Sequence, residues 1–134
     1  MSKLSKQLNR KLYIAVGIGG MIGAVSRYGI SSAFSYFENF PIGTLAANLL
    51  GCFILSFLLQ HQSIKEKLSP EFLTGLTTGV IGAFTTYSTF ALETIQLWQQ
   101  NAVLSILYVG LSMFGGLLSC YVGFKLANKR QDMK

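Results

Sequence analysis

Charged residues are scarce in this chain, and their positions restrict the fold more than any other feature. They make up 12% of the sequence, about half the share of a typical soluble domain. They are gathered in short groups, which leaves four charge-poor stretches over residues 12–37, 39–63, 72–92 and 94–124, with Arg27 as the one charge within the first. Each stretch reaches or exceeds the roughly 20 residues that cross about 30 Å of hydrocarbon as a helix.

These stretches predict a membrane protein and not a soluble one. They run continuously apolar instead of alternating, so membrane-spanning β-strands are disfavoured. We therefore predict an all-α membrane protein with four transmembrane helices. They form one domain over residues 1–134, with spans at about 12–34, 42–60, 72–99 and 102–127.

The positive charge lies on one side of the predicted bundle. The net charge is +6, and ten of the eleven basic residues form three groups: Lys3, Lys6, Arg10 and Lys11; Lys65 and Lys67; Lys125, Lys129, Arg130 and Lys134. Four spans put all three groups on the same side, which the positive-inside rule assigns to the cytoplasm. The charge therefore indicates topology, with both termini inside, and not a nucleic-acid surface. A cleaved signal peptide is disfavoured because three more spans follow the first.

Small residues recur at helical spacing and predict close helix packing. Gly19 and Gly23 are four apart in the first span, and Gly43, Ala47 and Gly51 repeat that spacing in the second. Such pairs let neighbouring helices approach closely in a membrane. Fourteen glycines in so short a chain extend this expectation to contacts between subunits.

Catalytic chemistry and metal binding by side-chain clusters have little support in the sequence. The only histidine, His61, falls in a predicted basic loop that ends in a helix start, with Ser69 as N-cap and Pro70 next. No carboxylate lies well inside a predicted span, and no nucleophile–base set or phosphate loop is present. Cys52 and Cys120 lie in apolar segments without metal-ligand spacing, so they are expected to be packed thiols. The sequence therefore predicts a protein that is not an enzyme.

A few polar residues in the spans are candidates for function. Arg27 either snorkels to the membrane surface or draws an anion into a vestibule. Thr44 and Asn48 share one face of the second helix, and Asn48 either bonds a neighbouring helix or aims a donor into a pore. Tyr108 and Ser112, four apart in the last span, either pack or extend a polar stripe.

The run "GAFTTYSTFALET" (residues 82–94) is the most unusual segment. Glycine followed by Thr85 and Thr86 favours a local break in the third helix. Non-helical backbone at membrane depth is tolerated only where it is buried or lines a cavity, and freed carbonyls there suit a hard cation such as Na⁺. Tyr87 and Phe90 point to similar sides, either as a packing pair or as ring edges facing an anion.

Three motifs in order make the chain resemble a known family. They are "GGMIGAVSRY" in the first span, "PIGTLAANLLG" in the second and "GAFTTYSTFALE" in the third. Together, in a chain with four predicted spans, they resemble the small fluoride channels, the CrcB or Fluc proteins, over nearly the whole length.

The resemblance implies a passive fluoride channel in the plasma membrane of a microbe, which would export toxic fluoride. It implies a dimer of oppositely inserted subunits, with two fluoride pathways along the subunit interface. The implied pathway residues are Asn48, Tyr87, Phe90, Ser88, Thr89, Thr44, Tyr108 and Ser112. A structural Na⁺ would be held by the backbone carbonyls of Gly82 and Thr85, and Arg27 would be the vestibule arginine.

Two features depart from the family pattern. The first aromatic position is usually Phe and is Tyr87 here, whose hydroxyl could add a donor or narrow the path. The strong charge bias is untypical of a chain that inserts both ways, and it suggests one half of an oppositely oriented pair. Both a heterodimer with a paralogue and a homodimer stay open.

Two other classes of membrane protein fit the sequence less well than a channel. A small multidrug-exporter-like, proton-coupled transporter also has four spans, but it needs a carboxylate in the first span, where this chain has Arg27. A membrane scaffold without transport would not need Asn48, Tyr87, Phe90 and a broken helix together.

Overall fold

The computed structural model describes residues 3–34 and 39–129, with side chains from residue 10 onward, and within these ranges all regular structure is helical. The elements are α1 Lys3–Ala33, α2 Ile42–Gln60, α3 Gln62–Lys67, α4 Pro70–Thr74, a π-helical segment Gly75–Ile81, α5 Gly82–Phe84, α6 Tyr87–Gln100 and α7 Ala102–Lys129. Residues 35–38 of the acidic loop, and the basic residues Arg130 and Lys134, lie outside the described residues.

Three helices in the described part of the chain are long and apolar enough to cross a membrane: Arg10–Ala33, Ile42–Gln60 and Ala102–Lys129. The span predicted over 42–60 has the same bounds as α2, and the one predicted over 102–127 lies within α7. The stretch predicted over 72–99 is divided among α4, the π-helical segment, α5 and α6.

Two further sequence expectations meet different outcomes. The helix start at Ser69 is confirmed, because the Ser69 hydroxyl accepts a hydrogen bond of 3.2 Å from the Phe72 amide and Pro70 occupies the first turn. The basic segment before it is only partly a loop: Gln62–Lys67 forms a short helix, in which the Gln62 amide donates to Glu66 Oε1 at 2.9 Å. The polar composition that led us to expect a loop is equally compatible with a short helix.

Close packing of α1 depends on Gly19 and Gly23, as their spacing predicted. A Cβ at Gly19 would strike the carbonyl oxygen of Gly75, and one at Gly23 would strike the carbonyl oxygen of Val80. The backbones of α1 and the π-helical segment are therefore in direct contact. On the other side of the molecule α2 packs along α7, where Gly123 leaves room for the Phe53 carbonyl.

The described parts of the three basic groups lie at one end of the bundle. The Gln60 side-chain amide donates to Asn128 Oδ1 at 3.0 Å, which joins the C-terminal ends of α2 and α7. Gly75 packs against Ala15, so the start of the third stretch lies beside the N-terminal half of α1. This arrangement brings Arg10, the helix with Lys65 and Lys67, and the end of α7 to the same side.

Candidate functional site

The helical backbone is interrupted at two consecutive threonines between α5 and α6. Thr85 has φ −82° and ψ 151°, and Thr86 has φ −146° and ψ 125°, both extended conformations. Thr86 then caps α6, because its hydroxyl accepts a 3.2 Å hydrogen bond from the Thr89 amide. Threonine suits both positions, since its branched side chain tolerates extended backbone and its oxygen can cap a helix.

Asn48 of α2 holds this interruption with two hydrogen bonds. Its Nδ2 donates to the Thr86 carbonyl at 3.0 Å, and its Oδ1 accepts from the Thr86 amide at 2.8 Å. The two different partners fix which end of the side-chain amide is oxygen. An Asn amide nitrogen has two hydrogens, so one N–H donor remains beyond the bond to Thr86.

The interruption also frees the two carbonyl groups that the family resemblance proposes as metal ligands. In a continuous helix the Gly82 carbonyl would accept from the Thr86 amide, and the Thr85 carbonyl from the Thr89 amide. Both amides are bonded elsewhere, to Asn48 Oδ1 and to Thr86 Oγ1. The two oxygens are therefore released from helical bonding, and Gly82 is exposed at the surface of the chain.

An open groove of about 420 Å³ runs beside the interruption. We call it the aromatic groove; it is lined by Asn48, Gly51, Cys52, Leu55, Thr85, Thr86, Tyr87, Phe90, Ser112 and Met113. The Ser112 hydroxyl is buried and makes no hydrogen bond within the described part of the chain. A buried polar atom without a partner is unusual in proteins and points to a missing one. The groove thus holds two donors, Asn48 and Ser112, beside two aromatic rings.

The aromatic rings continue from the groove into the bundle. The Tyr87 and Phe90 ring centroids are 6.0 Å apart, those of Phe90 and Tyr108 are 5.3 Å apart, and both pairs are tilted by 44°. Phe40 meets Tyr108 edge-on, with centroids 5.5 Å apart and an interplanar angle of 85°. Tyr87 is 81% exposed, so this row of rings begins at the open side of the groove and ends in the interior.

A second cavity, of about 360 Å³, lies on the other side of Phe90 and contains a carboxylate. We call it the carboxylate cavity; it is lined by Ser31, Phe34, Phe40, Pro41, Ile42, Gly43, Thr44, Thr89, Glu93, Gln96, Leu97 and Gln100. Glu93 Oε1 accepts from the Thr44 hydroxyl at 2.8 Å, and Glu93 Oε2 accepts from the Tyr108 hydroxyl at 2.7 Å. These short hydrogen bonds to a carboxylate are of the strong class.

Glu93 is the functional candidate that sequence reasoning missed. The expectation that no carboxylate lies well inside a predicted span overlooked it because it is near the end of the third stretch. A signal was present: Glu93 follows Thr89 by four residues and Phe90 by three, which puts all three on one face of α6. It is also the single charge between the two apolar runs of residues 72–92 and 94–124.

The hydroxyls of α6 connect the two cavities. The Thr86 hydroxyl, in the aromatic groove, donates to the Thr89 hydroxyl at 3.1 Å, and Thr89 lines the carboxylate cavity. Ser88 Oγ lies 3.3 Å from Thr86 Oγ1. The Thr86–Thr89 hydrogen bond therefore joins a residue of the aromatic groove to a residue of the carboxylate cavity.

Most of the residues predicted for the site are thus brought together, and one is not. Asn48, Tyr87, Phe90 and Ser112 share the aromatic groove, whereas the other members of the set are grouped around the carboxylate cavity or join it to the groove: Thr44, Tyr108, Ser88 and Thr89. Arg27 is half-buried near the end of α1 and lines neither cavity.

The chemistry of the groove is that of neutral donors next to ring edges. Ring edges carry partial positive charge, and amide and hydroxyl hydrogens can replace water around a small anion. The two released carbonyls offer the opposite polarity and suit a hard cation. Among the described residues no three His, Cys, Asp or Glu side chains are grouped to hold a metal ion.

Comparison with known proteins agrees with this arrangement. Residues 14–124 match the family described as CrcB-like protein, camphor resistance. A protein of Bacillus cereus named fluoride-specific ion channel FluC 1 is 41% identical over 131 residues, which cover 96% of this chain and 91% of the relative. A Listeria monocytogenes protein named fluoride-specific ion channel FluC 2 is 43% identical over 118 residues, covering 87% and 91%. The resemblance inferred from the three motifs is confirmed, and the chain belongs to the CrcB family of multi-pass membrane proteins.

Proposed function

We propose that this protein is a passive, fluoride-selective channel that exports fluoride from the cytoplasm and so lowers its toxicity. The observation that carries the proposal is the aromatic groove, where an Asn48 N–H and the Ser112 hydroxyl, neither of them bonded within the described residues, lie beside Tyr87 and Phe90. The names of the relatives, which are fluoride-specific ion channels, support the same ion.

The groove suits fluoride for a physical reason. A small, strongly hydrated anion crosses a membrane only if aimed donors replace its water shell. Neutral donors and ring edges do this without a fixed positive charge that would trap the ion. An inside-negative potential then drives the anion outward, by about 2.3 kcal/mol per charge for each 100 mV, with no coupled energy source.

The proposed channel is a dimer, because the aromatic groove leaves polar groups open on one side of the chain. Apolar side chains can face lipid, but Asn48, Ser112 and the extended backbone at Thr86 need protein or water around them. The groove opens beside Tyr87, which is 81% exposed. A second subunit inserted in the opposite orientation would cover it with an equivalent groove and give two pathways at the interface.

A structural Na⁺ at the centre of this dimer is part of the proposal. The residues fit the ion, because the Gly82 and Thr85 carbonyls have lost their helical donors and Na⁺ prefers uncharged or anionic oxygen ligands. Two carbonyls from each subunit would give four oxygen ligands. The ion would hold the two interrupted helices together.

The charge bias leaves two possible second subunits. The basic residues gather at one end of the bundle, which favours a single orientation for this chain. The dimer is then either a heterodimer with an oppositely oriented paralogue or a homodimer that overrides the bias. The Tyr87 and Phe90 pair is complete in this one chain, so it can supply the aromatic groups for either form.

Fluoride efflux from vesicles tests the proposal. Vesicles containing the purified chain, alone and with a candidate partner subunit, are loaded with potassium fluoride. A potassium ionophore then lets K⁺ leave, so that charge build-up does not stop fluoride efflux. We expect fluoride to leave within the time resolution of a fluoride electrode, and chloride to remain. Vesicles that keep their fluoride under both conditions would contradict the channel.

The same vesicles separate a channel from a proton-coupled exporter. A passive channel follows the fluoride gradient and the membrane potential, so an imposed pH gradient should leave the initial efflux rate unchanged once the potential is clamped. A rate that follows the proton gradient, or uptake of a cationic dye against its own gradient, would favour the transporter class instead.

A further inference from the structure

The two cysteines of this chain meet where α2 packs on α7. The Cys120 thiol donates to the Cys52 carbonyl oxygen at 3.6 Å, so the Cys120 sulfur touches the residue that bears the other thiol. Gly116, one turn before Cys120 on α7, leaves room for the Cys52 sulfur, which lies 3.7 Å from where a Cβ would be. The Cys52 side chain therefore points at the face of α7 that carries Cys120.

The surrounding contacts hold both residues in this position. The Ser56 hydroxyl of α2 donates to the Cys120 carbonyl at 2.7 Å, so hydrogen bonds run in both directions between the two helices at this level. Both cysteines are free thiols and both are only partly buried. They are neighbours without being bonded, which leaves both sulfur atoms available to a ligand.

The donor set selects a particular class of metal. Zinc and other tetrahedral ions need about four ligands, and among the described residues no third His, Cys, Asp or Glu joins this pair. Soft thiolate sulfur prefers soft d¹⁰ ions. We propose that Cys52 and Cys120 form a binding site for a thiophilic ion that accepts linear coordination by two sulfurs, such as Cu(I), Ag(I) or Hg(II), and that an ion bound there reduces flux through the aromatic groove.

The effect on flux follows from the position of Cys52, and this half of the inference rests on the proposed channel function. Cys52 lines the aromatic groove and lies one helical turn from Asn48 on the same face of α2. A bridging ion fills space beside the Asn48 donor and fixes α2 to α7. With mercuric chloride, two S–Hg bonds form, both Hg–Cl bonds break, and the two thiol protons leave with the two chlorides.

Mercuric chloride titration of the purified full-length protein tests the site. The chain has only these two cysteines, so every thiol counted belongs to the pair. We expect one mercury per chain to consume both thiols, and the denatured protein to have the mass of one chain plus one mercury less two protons. Two mercury atoms per chain, or a species of two chains joined by one mercury, would overturn the site.

Variants sharpen the binding test. Cys52→Ser and Cys120→Ser each leave one thiol, which binds mercury without the second sulfur. Two tethered ligands act at an effective concentration in the millimolar range, so the wild type should resist removal of mercury by a competing monothiol roughly 10²-fold better than either variant. Equal removal from wild type and variants would contradict a two-sulfur site even if a variant folds poorly, because each is scored on its folded fraction.

Fluoride efflux provides the second readout. One mercury per chain should slow efflux from wild-type vesicles, whereas the Cys52→Ser/Cys120→Ser variant, compared with its own rate before mercury, should not respond. Wild-type efflux that is unchanged at full occupancy would overturn the effect on the groove. If no fluoride moves even before mercury, the proposed channel function fails while the titration still decides the metal site.

Discussion

The aromatic groove and the carboxylate cavity lie on either side of Phe90, and they use their polar groups in opposite ways. In the groove neither the Ser112 hydroxyl nor the second N–H of the Asn48 amide is bonded within the part of the chain that the structure describes. In the cavity the Thr44 and Tyr108 hydroxyls both donate to the Glu93 carboxylate. The Ser112 hydroxyl of the groove is therefore available, although the Thr85 and Thr86 hydroxyls beside it are bonded, whereas the two cavity hydroxyls are bonded to a carboxylate.

This difference indicates which of the two regions can bind an anion. A donor that is already paired inside the protein must break that bond before it can serve an ion, and a hydrogen bond to a charged group is worth about 1.5–3 kcal/mol. A fixed carboxylate also repels an anion. The groove therefore suits recognition of the ion, and the cavity suits the structural role of tying α2, α6 and α7 together.

The largest expected effect is that of Asn48→Asp, which tests the groove. The aspartate can still accept from the Thr86 amide, but it loses both N–H donors and faces the Thr86 carbonyl with a negative charge. Repulsion of an anion at about 4 Å in a protein-like dielectric costs about 4 kcal/mol, so we expect fluoride efflux to fall roughly 10³-fold. The measurement is initial efflux from vesicles.

Asn128→Asp is the matched control for this change. Asn128 is likewise half-buried and bonded to another helix, but its partner is the Gln60 side chain and it lies at the basic end of the bundle. The Gln60 amide can donate to an aspartate equally well, so efflux should stay near the wild-type value. Similar losses in both variants would mean that a new carboxylate anywhere on this pair of helices disturbs the protein.

Glu93→Leu tests the cavity through stability. It removes the acceptor of two hydrogen bonds and leaves the Thr44 and Tyr108 hydroxyls unpaired, so the free energy of unfolding should fall by roughly 3 kcal/mol. Glu93→Gln keeps the shape and can still bond both hydroxyls, one as donor, and should cost much less. Thermal unfolding in detergent measures both variants. Equal melting temperatures would contradict a stabilising role for the hydrogen bonds that the cavity hydroxyls donate to Glu93.

Phe90→Ile removes the ring that separates the two regions. It abolishes the contacts with Tyr87 and Tyr108, each worth about 0.5–1.5 kcal/mol for an aromatic pair, together with the ring edge beside the groove. We expect efflux to fall roughly 30-fold, since about 2 kcal/mol of favourable contact is lost. Phe57→Ile, in the stacked Phe53–Phe57 pair elsewhere on α2, should keep its flux; retained flux in Phe90→Ile would remove this ring from the pathway.

The smallest expected effect is that of Ser112→Ala, which sharpens the comparison within one helix. Removing a buried hydroxyl that has no partner should not lower stability, but losing a donor worth about 1 kcal/mol should slow efflux roughly fivefold. Ser105→Ala on the same helix is the counterpart, because the Ser105 hydroxyl donates to the Thr94 carbonyl at 2.9 Å. It should lower the melting temperature by several degrees, and a reversed pattern would mean that Ser112 is bonded in the membrane.

The features predicted correctly from sequence depend on neighbours along the chain. The bounds of α2 follow from the length of an apolar run, and the cap at Ser69 follows from four consecutive residues. The close approach at Gly19 and Gly23 follows from a four-residue spacing. Each of these effects acts within one or two helical turns, so a sequence read locally contains the information.

The features that sequence reasoning missed or left open depend on distant residues. The sequence left two roles open for Asn48, an interhelical hydrogen bond or a donor in a pore. The structure shows the hydrogen bond to Thr86, and the second hydrogen of the same amide could still serve as a donor. The bond between Glu93 and Thr44 could not be foreseen, because 49 positions separate the two residues. The π-helical segment depends on its close backbone contact with α1, and its glycines are the one local feature that hints at it.

The sequence by itself determined that this protein is helical and crosses the membrane several times, because apolar length and charge placement act locally, and its three motifs indicated the CrcB family. Only the tertiary structure decided which polar groups are paired and which are free. The Thr44 hydroxyl and the Asn48 amide take partners that packing provides on other elements of the fold. The same packing brought Cys52 and Cys120 together although 68 residues separate them.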